Sequence, residues 1–179
     1  MIKGKERIKS YYSKKDVASS YDLKRFQNTF GRIQHEIEMS IINNSISKFK
    51  NPRLFEIAVG TGRITKAIKG KGIGIDTSEN MLKIAKKNAP KWRFIKMDVM
   101  DIHLKKKFEV VISLRLLRHF NRTDRKIAYK KIYESLSDNG LFIFDMPTGR
   151  HNKVLEFIDM FKRQKKVYEA DTPLKELKE

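Results

Sequence analysis

Short apolar runs alternate along this chain with longer stretches in which apolar residues return every third or fourth position. The short runs are Leu54 to Ile57 around Glu56, Gly72 to Ile75 before Asp76, Trp92 to Ile95, Phe108 to Ser113, and Leu141 to Phe144. All have strand length, and Phe108 to Ser113 is apolar almost throughout, as suits a parallel strand covered on both faces. The helical periods lie before and between them. From Phe30 to Lys48 apolar residues recur at Ile33, Ile37, Ile41, Ile42 and Ile46, which predicts a helix packed on the sheet and ended before Pro52. An amphipathic helix is predicted from Ile64 to Ile68, and another from Ser78 to Asn88, stopped by Ala89-Pro90. A helix capped by Thr123 should bury Ile127, Ile132 and Leu136, with Asp138-Asn139-Gly140 turning it into the last strand. Residues 1–15 read as frayed or helical, and one more helix is expected from Asn152 through Val154, Phe157, Ile158 and Phe161.

Strand and helix in alternation predict an α/β fold: a doubly wound, mostly parallel sheet with helices on both faces and its ligand at the carboxyl ends of the strands. A single structural domain is expected, with an N-terminal helical cap (1–50), an α/β core (51–150) and a C-terminal helix with a charged tail (151–179). After Phe144 no clear antiparallel strand pair follows. The fifth strand is therefore expected to be a bare edge, covered by the Phe157/Phe161 helix or by a second copy or other partner.

Candidate chemistry begins where the first strand meets Gly60-Thr61-Gly62. A strand, a glycine turn and a helix bring backbone N–H groups to one point, and glycine there permits positive φ and close approach of a ligand. Asp76 follows the start of the first strand by about 20 residues, the spacing at which a nucleotide-binding βαβ unit places its ribose acceptor. Thr65 falls where a dinucleotide site needs its third glycine, so NAD is not expected.

These residues resemble the class I S-adenosylmethionine-dependent methyltransferases. Glu56-Ile57-Ala58-Val59-Gly60-Thr61-Gly62 resembles their first motif, with Ala58 in place of a glycine. Gly74-Ile75-Asp76-Thr77-Ser78-Glu79-Asn80-Met81 is similar to the second, whose acid holds the ribose. Met97-Asp98-Val99-Met100-Asp101-Ile102 resembles the third, whose first Asp contacts the adenine amino group. Phe108 through Ser113 and Arg115 to His119-Phe120 resembles the fourth, with Arg118 where a first histidine is usual. Leu136 to Asp145 is similar to the fifth, and Asp16 to Tyr21-Asp22 to the leading segment that covers the cofactor. The resemblance implies S-adenosyl-L-methionine as cofactor. It implies contacts from Tyr21, Glu56, Ala58, Gly60, Gly62, Asp76, Thr77, Met81, Asp98, Val99, Ser113 and Arg115. Arg25 is a further candidate beside Tyr21.

Composition narrows the chemistry. The 179 residues contain no cysteine, which removes disulfides, thiolate metal sites and a thiol nucleophile. The four histidines have no metal-ligand spacing, so no metal site is expected. Methyl transfer from a sulfonium needs alignment and desolvation, and neither metal nor covalent intermediate. His119 is the candidate base, set against a simple surface histidine at a helix start. The fourth strand ends Ile112-Ser113-Leu114-Arg115 and lacks the Asn/Asp-Pro-Pro-aromatic end of nucleic-acid amino methyltransferases. A formal charge of +19 keeps a nucleic-acid partner open, against the alternative of a merely basic surface. No apolar run reaches membrane-spanning length and no signal core opens the chain, so a cytoplasmic protein without a membrane partner is expected. The predicted function is methyl transfer to an unidentified small-molecule or nucleic-acid acceptor. The alternatives are an inactive or partner-dependent cofactor-binding subunit, or a basic nucleic-acid-binding module on the same fold.

Overall fold

The computed structural model of the protein describes residues 4–146. Three helices lead: α1 (Gly4–Tyr12), α2 (Lys15–Phe26) and α3 (Thr29–Ile46). The sheet follows as β1 (Leu54–Ile57), β2 (Gly72–Asp76), α4 (Glu79–Asn88), β3 (Arg93–Lys96), β4 (Phe108–Ser113), α5 (Arg122–Ser135) and β5 (Leu136–Phe144). All five strands are parallel, in the order β3-β2-β1-β4-β5. The order reverses between β1 and β4, so the chain ends leaving those two strands diverge and open a crevice.

Each face of the sheet has its own core. On one, α3 supplies Met39, Ile42 and Ile46 against Leu54, Val110 and Ile112, with Ile64, Ile68 and Trp92 beside them. On the other, Ala128 and Ile132 of α5 pack on Phe55, Ile57, Ile75, Phe108 and Val111. Phe55 and Phe108 stack with centroids 4.7 Å apart, locking β1 to β4. Local caps fix the helix starts: the Asn28 side chain accepts from Gly31 N, Ser78 from Met81 N, and Asn121 from Asp124 N.

Several expectations change. The predicted Ile64–Ile68 helix is a single 3-10 turn, Thr65–Ala67. Too few residues separate Gly62 from β2 for a full crossover helix, and the upstream α3 fills that face instead. The expected stripe of α3 divides: Ile42 and Ile46 face the sheet as expected, joined by Met39, while Ile33, Ile37 and Ile41 are exposed. Helix α5 is capped by Asn121 rather than Thr123, and Ile127 is exposed. Strand β5 starts at Leu136, because Leu136 pairs with Phe108 before residues 137–140 loop out and pairing resumes at Leu141–Val110. The outer edge of β5 has no partner strand among the described residues. The expected helix from Asn152 and its packing against that edge lie outside the described residues.

Burial separates the two sides of α3 by experiment. Ile42→Ala should cost about 2–5 kcal/mol in urea unfolding, since Ile42 is 1% exposed. Ile37→Ser, at a residue 55% exposed, should change stability by no more than about 0.5 kcal/mol. Equal losses would show that the stripe is covered.

Candidate functional site

The site grows from the backbone after β1. Ala58 and Gly60 both take positive φ, 59° and 54°, and Gly62 follows at 75°. Positive φ is costly for any residue with a Cβ, so Ala58 sits where glycine would be easier. A Cβ on Gly60 would meet nothing within 4 Å, so this position opens directly onto the crevice. Gly62 differs: a Cβ there would lie 3.0 Å from Ala85 Cα of α4. Its glycine is demanded by helix approach and φ, which corrects the expectation that Gly62 leaves room for a ligand.

Side chains from three directions brace this turn. The Asp76 carboxylate, at the end of β2, accepts from Gly60 N at 2.8 Å and from Ser78 N at 2.8 Å. Burial pushes its carboxyl above the usual range against these backbone bonds. Thr61 Oγ1 donates to both oxygens of Asp22 on α2, at 2.8 and 2.9 Å, and Asn88 of α4 donates to Thr61 O. Beneath, Glu56 is buried and accepts from Thr65 Oγ1 at 2.6 Å. Burial raises its carboxyl to about 7, opposed by Thr65 and by the charges of Arg115 and Arg63.

The crevice and the solvent at its mouth together take in about 1080 Å³ of non-atom space. Of the residues named from sequence, Tyr21, Glu56, Ala58, Gly60, Asp76, Thr77, Met81, Asp98, Val99, Arg115 and His119 line it. Gly62 and Ser113 do not: Gly62 faces α4, and Ser113 is fully buried at the end of β4. Arg25 is exposed, its guanidinium 5.3 Å from the Tyr21 ring centroid. His119, set beside α1 by a 3-10 turn after β4, brings its ring within 6.2 Å of the Tyr12 ring.

Other lining residues were not singled out from sequence. Ile8, Lys9 and Tyr12 bring α1 across the crevice, held there by Ser78 Oγ donating to Tyr12 O and Asn80 donating to Ser13 O. Lys9 Nζ lies 2.6 Å from Asp98 Oδ2, and Asp98 raises the lysine pKa. Asp98 Oδ1 caps the following turn through Met100 N. No periodicity in the lysine-rich N-terminus marks Lys9 as special. Glu38 and Arg63 were also missed, although Glu38 is an acid on the inner side of α3 and Arg63 directly follows the glycine turn.

Those two residues build a cluster. Glu38 Oε2 accepts from Arg63 Nη2 at 2.6 Å, and its Oε1 accepts from Arg115 Nη1 at 2.6 Å and from Gln34 at 2.9 Å. The Phe26 ring lies under both guanidiniums, 3.8 Å from Arg63 Cζ and 5.0 Å from Arg115 Cζ. Arg63 Nη1 contacts His35 Nδ1; a guanidinium only donates, so this nitrogen accepts and its ring is neutral. Burial first, then the Arg63 charge, lower the His35 pKa accordingly. Arg115 has φ 61°, a strained conformation held by its N–H donating to Asp145. Arg118, which stands where a histidine was expected, pairs with the same Asp145.

Comparison with known proteins agrees with this geometry. Residues 54–140 match a family model described as a methyltransferase domain. An uncharacterized methyltransferase of Alkaliphilus oremlandii is 26% identical over 133 residues, covering 70% of this chain. The match spans 62% of that relative's own length. The magnesium protoporphyrin IX methyltransferase of Synechocystis PCC 6803, solved with bound SAH, is similar in fold with a TM-score of 0.73 at 14% identity. That likeness covers 97% of this chain and 85% of the other. An N-methyltransferase from Bradyrhizobium japonicum WM9, in complex with S-adenosyl-L-homocysteine, gives a TM-score of 0.67 at 14% identity, over 87% and 79% of the two chains.

The buried Glu56 makes stability depend on pH. Its folded pKa lies above the ordinary 4.5, so its contribution is fully present below about pH 4.5 and is lost as pH rises through about 7. The Glu56→Gln variant should flatten the fall in unfolding free energy between pH 5 and 8 by roughly 2–3 kcal/mol. Parallel urea titrations of both proteins measure this. Identical slopes would mean that Glu56 is ionised throughout.

Proposed function

We propose, from the premise that the chain belongs to the class I S-adenosylmethionine-dependent methyltransferases, that its crevice binds S-adenosylmethionine and directs methyl transfer to a small-molecule acceptor. The observation that carries this reading is the hydrogen bond from Gly60 N to Asp76. It holds the open glycine turn and the acid of the next strand on one wall of one crevice.

The residues present fit the cofactor. Asp76 takes Gly60 N on one oxygen and Ser78 N on the other, with the Thr77 N–H also directed at it. A carboxylate has about four acceptor sites, so it can still accept from a ribose hydroxyl. The open space above Gly60 is what close backbone approach of a ligand requires. Met81 and Val99 offer apolar walls for a base, with Asp98 at its edge. The bound cofactor would supply a methyl group on a positively charged sulfur.

The chain's own part is then alignment and exclusion of water. Tyr12 and Tyr21 cover the crevice from the α1–α2 side. His119 lines the same space and would accept a proton from an oxygen or nitrogen nucleophile. The docking of α1 over the mouth favours a small acceptor over a nucleic acid.

Calorimetric titration with S-adenosylhomocysteine tests the reading. The wild type should bind, and Asp76→Ala should weaken binding about tenfold to a hundredfold, the loss of hydrogen bonds to a charged acceptor. Because Lys9 occupies Asp98, Lys9→Met should tighten binding by about threefold to fivefold, the value of a partly exposed ion pair. Absence of binding to the wild type would end the proposal. Weaker binding by Lys9→Met would mean that the lysine holds ligand rather than blocking it.

A further inference from the structure

Two guanidiniums and one carboxylate meet at the β4 end of the crevice. The side chains of Arg63, Arg115 and Glu38 are 7%, 14% and 13% exposed, so water neutralises little of the excess. Glu38 has three of its about four acceptor sites taken, by Arg63, Arg115 and Gln34. His35 adds no charge of either sign, because its Nδ1 accepts from Arg63. Asp145 accepts from the Arg115 backbone N–H and is paired with Arg118, and Glu56 faces Thr65, with burial raising its carboxyl to about 7. Arg63 Nε is buried and has no acceptor among the described residues. A buried guanidinium left short of acceptors is costly, and Arg63 and Arg115 both line the crevice, where a ligand can meet the cluster.

Position decides what the ligand is. Asp76 and Asp98 follow β2 and β3, and Arg115 follows β4. From β3 to β4 is three strand spacings, about 14 Å, so the acids and the guanidiniums face opposite ends of one crevice. Nucleoside chemistry suits the acidic end. We infer that the Arg63–Glu38–Arg115 cluster is a carboxylate-binding subsite, and that the methyl acceptor is a small molecule carrying a carboxylate. The planar forks of two arginines match a carboxylate in a way a lysine would not. Phe26 lies under both forks and keeps them in place. This inference rests on the methyltransferase reading for the word acceptor, and on the cluster alone for the chemistry.

The amino-acid end of the cofactor also carries a carboxylate, so the experiment has to tell the two sources apart. Benzoate and its neutral isostere benzamide are titrated into wild-type protein saturated with S-adenosylhomocysteine. The same pair is titrated into protein saturated with 5′-methylthioadenosine, which lacks the amino-acid end, and into unloaded protein. The expected result is at least tenfold tighter binding of benzoate than benzamide with either nucleoside present. Glu38→Gln should strengthen benzoate further by freeing both guanidiniums, a gain that a purely structural cluster would not produce. Arg115→Met should abolish the preference. Equal affinity for benzoate and benzamide would overturn the inference, as would a Glu38→Gln protein that folds but binds benzoate no more tightly. Preference for benzoate with methylthioadenosine but not with S-adenosylhomocysteine would assign the subsite to the cofactor and overturn the acceptor class. Loss of S-adenosylhomocysteine binding alone would end the methyltransferase reading and leave the benzoate comparison on unloaded protein to decide this one.

Discussion

A carboxylate at the end of one strand holds the backbone that leaves its neighbour, and the site depends on that contact. Gly60 can donate to Asp76 because β1 and β2 are parallel and in register, with Ile57 opposite Ile75. Parallel pairing sends both chains out at the same edge, so a turn after one and an acid after the other meet without any long excursion. The turn itself is unfavourable in isolation, with positive φ at Ala58, Gly60 and Gly62. Asp22, Asn88 and Asp76 bind it from α2, α4 and β2, so three separately folded pieces fix one loop.

The other half of the crevice is organised by charge. Glu38 on α3 ties the residue after the glycine turn to the residue after β4, and Asp145 ties Arg115 and Arg118 to the end of β5. Helix α3 is therefore more than a cover for the sheet. Its buried side supplies Ile42 and Ile46 to the core and Glu38 to the site. Its opposite side leaves Phe30, Ile33, Ile37 and Ile41 exposed, a stripe with no role in either.

The strands were legible because parallel burial writes itself as short apolar runs. Phe108–Ser113 emerged with its predicted bounds, and β1 and β2 were marked by short apolar runs around Glu56 and before Asp76. Asp76 was legible through its distance from β1, a spacing kept although only a 3-10 turn joins β1 to β2. The face of α3 was legible only in part: Ile42 and Ile46 are buried as expected, but Ile33, Ile37 and Ile41 form a second apolar row, and only the fold decides which row meets the sheet. The crossover after Gly62 was misread for a related reason: local periodicity suggested a helix where the chain has room for one 3-10 turn. Lys9 and Glu38 meet partners far away in sequence, Asp98 and Arg115, and no local pattern encodes such pairings. Arg118 looked like a departure from a motif, and its ion pair with Asp145 gives the change a structural reason.

The central claim is that the Gly60–Asp76 couple forms the nucleoside wall of the crevice, and amide chemical shifts test it most directly. In ¹⁵N-labelled protein the Gly60 and Ser78 amides, both donors to the Asp76 carboxylate, report any new bond to that group. Addition of S-adenosylhomocysteine should shift both resonances together and saturably, and Asp76→Asn should remove the paired response. Saturable binding that leaves Gly60 and Ser78 unmoved while shifting amides elsewhere would contradict the account.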